Sequence, residues 1–283
     1  MNRILPRRSF IFTPALKPEM FLKAKLSGAD IICVELEDGI APQDKKKARA
    51  LAIDLFKNES QEDNIEKILR INCPRDNFGL KDIQAMLDTE YPPQGIMIPK
   101  VKTSEEIVLI DDLFSERGLH CNFHIIIETN QGLERAYEIA NCSTRIKAFF
   151  FGGVDMAAEL RCSNSWDSLL YARSRVVHAA ASAGIDVIDV PYLDLGDLKG
   201  MKEEAIKAKD LGFCGKGSIH PKQIPILNEV FTPSKEEIIE ARETIDAFEE
   251  AKTGLVVING KLIEKPVLRE MQRILSIAKK LNI

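Results

Sequence analysis

Eight short apolar runs recur along the chain, and this recurrence constrains the fold more than any other feature of the sequence. The runs are rich in β-branched and aromatic residues and read as continuous hydrophobic segments rather than as alternating apolar and polar positions. Parallel strands that are covered on both faces produce this pattern. The predicted strands are 9–13, 30–36, 67–72, 95–101, 123–129, 146–153, 185–194 and 212–219.

Helical patterns lie between these runs. Apolar residues spaced by three and four predict amphipathic helices at 42–57, 104–117 and 165–183. Thr103–Glu106 and Ser234–Glu237 have the capping-box pattern of a helix start. The eightfold alternation of strand and helix, without a long polar linker, favours an α/β fold that is a single (β/α)8 TIM barrel. A doubly wound open sheet is the alternative that shares this pattern.

The pattern changes after residue 221, where three further elements are predicted: a surface helix at 235–253, a hairpin at 254–266 and a last helix at 266–282. The pair Asn259-Gly260 is typical of a hairpin turn. We therefore expect a TIM barrel catalytic domain over 1–232 and a helix-hairpin-helix extension over 233–283. Such an extension would cover a barrel end or pack against another subunit.

Composition excludes several classes of protein. The formal net charge is −4 and the pI is about 5.8, so the chain lacks the basic excess that binds nucleic acid or anionic membranes. No apolar run approaches the ~18 residues that span a bilayer, and the first ten residues lack a secretory hydrophobic stretch. We expect a cytoplasmic protein. Its six cysteines show no C-x-x-C spacing and are expected to be reduced, packed thiols.

Polar residues at the carboxyl ends of the predicted strands are candidates for the reactive groups, because these ends meet in the mouth of such a barrel. Glu128 and Asp155 lie at the carboxyl ends of consecutive predicted strands, and neighbouring strands lie only ~4.8 Å apart. Two carboxylates so close repel unless a cation lies between them, and oxygen ligands alone suit Mg²⁺ or Mn²⁺. Position alone leaves open that both acids cap helix amides or pair with lysines.

Arg70 lies in an apolar strand, where an unpaired guanidinium is costly to desolvate. It therefore needs an anion, either a substrate carboxylate or enolate oxygen or a buried structural pair with the acids at 35–38. His220 precedes Pro221 at a predicted helix start, and loop anchoring is its simplest role. A Schiff-base aldolase that uses Lys100 or Lys216 is a further alternative.

Ten segments taken together resemble the citrate lyase β-subunit-like family, within the wider group of metal-dependent HpcH/HpaI aldolases and lyases. They run in family order over nearly the whole chain. The segments are "RRSFIFTPA" (7–15), "ELEDGIAPQDKKKAR" (35–49), "LRIN" (69–72), "IMIPKV" (96–101), "IIETNQGL" (126–133), "FGGVDMAAEL" (151–160), "LLYARSRVV" (169–177), "IDVPYLDLGD" (188–197), "GFCGKGSIHPKQIPILNEVFTPS" (212–234) and "NGKLIEKP" (259–266).

The resemblance implies a TIM barrel whose C-terminal extension reaches a neighbouring subunit, in a homotrimer or a multiple of it. It implies that Glu128 and Asp155 hold Mg²⁺ and that Arg70 binds substrate. The implied activity is carbon–carbon cleavage of a malyl-, citramalyl- or citryl-type 3-hydroxyacyl thioester to an acyl thioester and an oxo acid. Coenzyme A or an acyl carrier protein would carry the acyl group.

The resemblance also implies roles for further residues. Those matching contacts to the thioester carrier are Phe12, Lys23, Ile219 and His220. Gly153 and Val154, with Glu128, match the positions that meet the oxo acid. Glu264 matches a family aspartate that protonates the acetyl carbon from the adjacent subunit.

Three positions depart from the family pattern. Glu264 is one methylene longer than the aspartate, Val154 stands where many relatives have glutamate, and Ala15 stands where many have glycine. The changes at Val154 and Glu264 keep open a non-catalytic subunit that binds an acyl-CoA or an oxo acid. An acyl-CoA thioesterase on the same scaffold is a second alternative, because the same enolate can be diverted to hydrolysis.

Overall fold

Eight parallel strands close into a barrel in chain order, and β1 pairs with both β2 and β8. The computed structural model describes residues 6–59, 64–251, 255–258 and 260–283. Closure excludes the open sheet and confirms the predicted α/β (β/α)8 TIM barrel. The strands are β1 Ser9–Pro14, β2 Ile31–Glu35, β3 Glu66–Arg70, β4 Gly95–Ile98, β5 Asn122–Ile127, β6 Ile146–Phe151, β7 Asp186–Asp189 and β8 Gly215–Ser218.

Helices follow the strands along the chain. They are α1 Pro18–Lys25, α2 Lys45–Asn58, α3 Asn77–Asp88, α4 Ser104–Glu116, α5 Asn130–Glu134, α6 Ala136–Asn141, α7 Gly153–Leu160, α8 Trp166–Ala183, α9 Leu198–Leu211 and α10 Ile224–Phe231. The helix predicted at 42–57 is present, but its first three residues, Pro42–Asp44, form a 3-10 turn that leads into α2. Thr103 does precede α4, but its side chain makes no capping hydrogen bond, so the capping box predicted there is wrong.

Strands seven and eight are shorter than predicted. β7 ends at Asp189 rather than at residue 194, since Pro191 has no N–H group to donate to a neighbouring strand. β8 begins at Gly215 rather than at residue 212. Gly212 instead ends α9 in the left-handed conformation, with φ of 113°. Both differences arise where a backbone restriction overrides an apolar composition.

Alternate positions along each strand face the barrel interior, and this explains why an acid follows the isoleucine run of β5. His124, Ile126 and Glu128 share one face, and Ile126 packs into the interior apolar cluster. The cluster consists of Phe10, Ile31, Cys33, Ile68, Met97, Ile126, Ala148, Phe150 and Ile188. On this face His124 lies on the amino-terminal side of the cluster, and Glu128 lies on its carboxyl-terminal side, at the mouth of the barrel.

An ionic network closes the opposite, amino-terminal end of the barrel. The guanidinium of Arg7 donates to Glu66 at 2.6 Å and to Asp186 at 2.7 Å, and His124 Nε2 lies 2.9 Å from Glu66. Burial alone would raise the pKa of Glu66, but His124 and Arg7 outweigh it and hold the pKa well below its ordinary value. Glu66 is thus a stabilising carboxylate at neutral pH.

Glu66→Gln is expected to lower the free energy of unfolding at pH 7 by about 3 kcal/mol, because Arg7 loses its closest buried partner. The wild-type advantage is fully present above the unfolded-state glutamate pKa of about 4.3 and is lost progressively as the pH falls from there through the depressed folded-state pKa. Urea unfolding at pH 7 and at about pH 2 measures both effects. The exposed Glu138→Gln variant is the control, and equal stability of Glu66→Gln and wild type at pH 7 would refute the assignment.

The described residues from 229 onward belong to a second compact unit. Its helices α11, Lys235–Ala251, and α12, Lys265–Leu281, pack together beside an antiparallel hairpin of β9, Leu255–Ile258, and β10, Lys261–Glu264. The predicted helix-hairpin-helix is confirmed. At the start of α11 the Glu237 N–H donates to Ser234 Oγ at 3.0 Å and the Ser234 N–H donates back to the Glu237 carboxylate at 2.6 Å.

Some predicted segments lie outside the described residues. They are residues 1–5 of the barrel domain, the 252–254 junction before the hairpin, and Asn259 of the predicted turn. The other turn residue, Gly260, has φ of 77°, which suits a tight turn. Across the described ranges of the chain, no helix combines the length and apolar character needed to cross a membrane.

Candidate active site

A cavity of about 220 Å³ opens at the carboxyl ends of the strands. Its deep wall is apolar, with Phe10, Met97, Ile126 and Phe150 contributed by four strands. Six residues singled out from the sequence line it together: Phe12, Arg70, Glu128, Val154, Asp155 and Ile219. The fold therefore brings together residues that lie up to about two hundred positions apart in the sequence.

Glu128 follows β5 and is 2% exposed. The backbone N–H of Lys100 donates to Glu128 Oε1 at 2.8 Å. Burial raises the pKa of the Glu128 carboxyl to about 8, the charges of Asp155 and Glu37 act in the same direction, and Arg70 opposes them. A buried carboxyl whose ionised form is so disfavoured is a group that a cation would stabilise.

The surroundings of Glu128 fit a small hard cation. Asp155, in the first turn of α7, lines the same cavity and supplies a second carboxylate. Gly152 keeps the approach open, because a Cβ there would lie 2.6 Å from Glu128 Oε2. Among the described residues, no group of three or more histidine, cysteine or acidic side chains could hold a metal. Two carboxylates are nevertheless a sufficient protein contribution for Mg²⁺, which keeps several waters.

Arg70 ends β3 and is held by Glu35 at the end of β2 and by Glu37 in the segment after it. Its guanidinium lies 3.2 Å from Glu35 Oε2 and also pairs with Glu37. It packs over the ring of Phe12, with 5.4 Å between the guanidinium carbon and the ring centroid. The structural pairing left open by the sequence is therefore present. Yet Arg70 Nε, although buried, has no hydrogen-bond partner in the described part of the chain, so the group retains a donor.

The two lysines considered for Schiff-base chemistry are both held in ion pairs. Lys216 is fully buried and donates to Asp189 at 2.6 Å and to Glu204 at 2.7 Å. Partial burial would lower the pKa of Lys100, but the hydrogen bond and charge of Glu37 raise it above its ordinary value. A Schiff base needs a neutral amine, so the geometry disfavours this alternative.

Four of the residues to which the family resemblance gives a role are not part of the cavity lining that the structure describes. Lys23 is exposed on α1, and Gly153 packs against Val190 at the start of α7. His220 precedes the 3-10 helix Pro221–Gln223, and its Nδ1 accepts the Lys222 N–H at 3.1 Å. This is the loop-anchoring role considered above. Glu264 lies in the second compact unit, exposed at the end of β10.

Asp189 ends β7, and the structure gives it a structural role. It lines the cavity but is buried between Arg173, at 2.9 Å, and Lys216. Burial would raise the pKa of Asp189, but the charges and hydrogen bonds of Lys216 and Arg173 outweigh it and hold the pKa below its ordinary value. Sequence spacing carries no signal for this arrangement, because Arg173 comes from the middle of α8.

A closed barrel with carboxylates and an arginine lining a cavity at its mouth defines the class: a (β/α)8 barrel with the layout of an enzyme. The family model for HpcH/HpaI aldolase/citrate lyase matches residues 8–221. The chain belongs to this family. The resemblance found in the sequence is thereby confirmed.

Named relatives cover almost the whole chain. It is 34% identical to the citrate lyase subunit beta of Leuconostoc mesenteroides subsp. cremoris, over 98% of this chain and 95% of the relative. It is 32% identical to the L-malyl-CoA/beta-methylmalyl-CoA lyase of Rhodobacter capsulatus, over 94% and 92%. These relatives confirm the prediction of an enzyme of the lyase class.

A solved structure gives a further likeness. It is the protein CitE from Mycobacterium tuberculosis in complex with magnesium, acetoacetate and coenzyme A. The identity is 27%, the TM-score is 0.81, and the match covers 98% of this chain and 99% of that chain. The likeness therefore includes the barrel and the C-terminal extension.

Proposed function

We propose that this protein is a Mg²⁺-dependent carbon–carbon lyase that cleaves a 3-hydroxyacyl thioester to an acyl thioester and an oxo acid. The observation that carries the proposal is the buried Glu128 carboxyl, with its pKa raised to about 8, in one cavity with Asp155 and Arg70. Relatives named citrate lyase subunit beta and malyl-CoA lyase support this reaction class. The malyl, citramalyl and citryl thioesters are the candidate substrates.

Glu128 and Asp155 are the residues that would hold Mg²⁺, with Mn²⁺ as a substitute. The chemistry that the bound ion supplies is Lewis-acid polarisation of the substrate hydroxyl and the adjacent carboxylate. The cavity volume of about 220 Å³ lies below the ~300 Å³ of typical drug-sized pockets and suits a short oxo acid. The first-turn amides of α7, at Gly153 and Val154, lack intrahelical partners and would bind its carboxylate.

Arg70 is assigned to the negative charge that develops on the thioester oxygen when the C–C bond breaks. Its unpartnered Nε is a buried donor, and a preorganised donor stabilises such a charge without reorganisation. Glu35 and Glu37 orient the guanidinium. Arg70 thus binds the enolate that must next receive a proton.

Glu264 is assigned to deliver that proton at the acetyl carbon, from the extension of a neighbouring subunit in a homotrimer or a multiple of it. The hairpin pairs Leu262 with Val257 and Glu264 with Leu255, so these four side chains share one face. Its three apolar members are more than half exposed. Exposed apolar side chains grouped on one face mark an interaction surface, and a second copy of this chain is the proposed cover for it.

The thioester carrier is proposed to be coenzyme A or an acyl carrier protein, bound beside Phe12, Lys23, Ile219 and His220. The rim of the cavity carries exposed apolar side chains, Val154, Leu193 and Ile219. Apolar side chains at the rim suit the apolar arm of a thioester that extends from the cavity to the protein surface.

Purified protein with Mg²⁺ is expected to release an oxo acid from at least one of malyl-CoA, citramalyl-CoA, citryl-CoA and a citryl thioester of an acyl carrier protein. Phenylhydrazone formation measures the oxo acid, and chromatography measures the acyl-CoA product. Reactions with EDTA are the control and should show only background. Absence of oxo acid from all four would overturn the proposal.

The same assay separates the alternatives. Free thiol without an oxo acid would identify a thioesterase, in which the enolate chemistry is diverted to hydrolysis. Calorimetric binding of an acyl-CoA without either product would identify a non-catalytic binding subunit, which the relatives named as citrate lyase subunits make a reasonable second candidate.

A further inference from the structure

Lys100 has a backbone conformation that its position in the fold does not explain. Among the described residues, three that are not glycine have positive φ: Lys100 at 56°, Arg161 at 57° and Asn282 at 57°. Arg161 and Asn282 each end a helix, where the left-handed conformation is common. Lys100 ends no helix, since it lies between β4 and α4. A residue with a Cβ adopts this conformation only when its surroundings hold it there.

Both backbone groups of Lys100 are bonded, and one of them reaches the site. The N–H donates to Glu128 Oε1 at 2.8 Å, and the carbonyl oxygen accepts from Arg75 at 2.7 Å. The left-handed turn therefore directs an amide at the carboxylate proposed to hold the metal. It fixes one oxygen of Glu128.

The site has two halves, the carboxylates Glu128 and Asp155 and the guanidinium of Arg70 with its acidic partners. The side chain of Lys100 extends to the second half. Its ammonium donates to Glu37 and lies 3.1 Å from Asp38 Oδ1. Glu37 also pairs with Arg70, and Asp38 lies 3.7 Å from Arg70. Without Lys100, more of the charge of both acids would act on Arg70, with Lys45 as the other nearby cation. The guanidinium would then present less positive potential to an incoming anion.

We propose that Lys100 is a positioning residue that serves both halves of the site, with its amide orienting Glu128 and its ammonium neutralising Glu37 and Asp38 so that Arg70 can bind an anion. This inference rests on the proposed function. Through Lys100, the position of the Glu128 carboxylate and the charge around Arg70 are set by the same residue.

The amide role is tested by comparing Lys100→Gly with Lys100→Ala. Both variants lose the ammonium, but only glycine adopts positive φ without strain. We expect Mn²⁺ binding, measured by electron paramagnetic resonance, to be about tenfold weaker in Lys100→Ala than in Lys100→Gly. If Lys100→Ala fails to fold, Lys100→Asn against Lys100→Gln replaces the pair, because asparagine tolerates this conformation. Equal Mn²⁺ affinity within the pair would overturn the amide role.

The ammonium role is tested with Lys100→Met, which keeps the length of the side chain and the backbone strain. Calorimetry with glyoxylate, pyruvate and oxaloacetate in the presence of Mn²⁺ is expected to show about tenfold weaker binding of whichever acid wild type binds best. Ethylammonium should partly restore binding to Lys100→Gly. Lys102→Met, in the same loop, is the control. Unchanged oxo-acid affinity in Lys100→Met would overturn this role.

These measurements separate the inference from the function on which it rests. Wild-type protein that binds neither Mn²⁺ nor any of the three oxo acids contradicts the proposed function itself. Wild-type protein that binds both, with all Lys100 variants equal to it, contradicts the inference alone. A residue that only stabilised the fold would shift the unfolding midpoint and leave both affinities unchanged.

Discussion

Glu128→Gln is expected to lower kcat/KM for the cleaved thioester on the order of a thousandfold, the cost of losing a preorganised electrostatic group. Glutamine keeps the size of the side chain and can still accept the Lys100 N–H through its amide oxygen. The substitution therefore removes the negative charge and little else. Steady-state kinetics at saturating Mg²⁺ and Mn²⁺ binding by electron paramagnetic resonance are the two measurements.

Glu203→Gln is the matched control, because Glu203 lies on α9 with its side chain 63% exposed. It should match wild type in both measurements. Wild-type metal affinity in Glu128→Gln would show that the ion, if one binds, lies elsewhere. The raised pKa would then reflect burial of an idle carboxyl.

Co-expression of Glu128→Gln and Glu264→Gln chains is expected to restore activity that neither variant has alone. If Glu264 acts on the site of the next subunit, a chain with intact Glu128 can receive the acid of a neighbour with intact Glu264. Every trimer that contains both chains has both intact residues at one of its three sites, so about a third of wild-type activity should return in the mixed oligomers. Distinct affinity tags on the two chains select the mixed oligomers for assay.

Two controls make this experiment decisive. Glu264→Gln alone should lose turnover while keeping metal and oxo-acid binding, and Glu270→Gln, exposed on α12, should keep full activity. Mixed oligomers with no activity would place the proton donor in the same chain as Glu128 or remove Glu264 from the reaction. Full activity of Glu264→Gln alone would remove it as well.

The barrel and the position of its site could be predicted because both follow from burial. Strands covered on both faces must be apolar throughout, so the eight runs are visible without tertiary information. A charged side chain within such a run costs free energy to bury unless it reaches the mouth of the barrel or finds a partner. This cost is the signal that identified Arg70 and Glu128. Errors occurred where single backbone restrictions decided the outcome, as with Pro191 in the loop after β7 and Gly212 at the end of α9.

Side-chain partnerships could not be predicted in the same way. The apolar composition of β3 shows that the guanidinium of Arg70 needs an anionic partner. The sequence does not distinguish the Glu35 carboxylate from a substrate anion as that partner. Only the folded structure shows that the ion pairs with Glu35 and Glu37 leave the Arg70 Nε donor without a partner among the described residues. The left-handed conformation of Lys100 is likewise invisible in sequence, since no glycine or asparagine marks it. Both features depend on residues distant along the chain.

The ionic network of Arg7, Glu66, His124 and Asp186 lies at the barrel end away from the cavity. Substitutions at distant sites without shared partners combine additively in their effects on stability. Loops at the mouth can therefore diverge toward new acyl groups while the opposite rim continues to anchor the scaffold. Because of this separation, substitutions that change substrate preference at the mouth need not destabilise the amino-terminal end of the barrel.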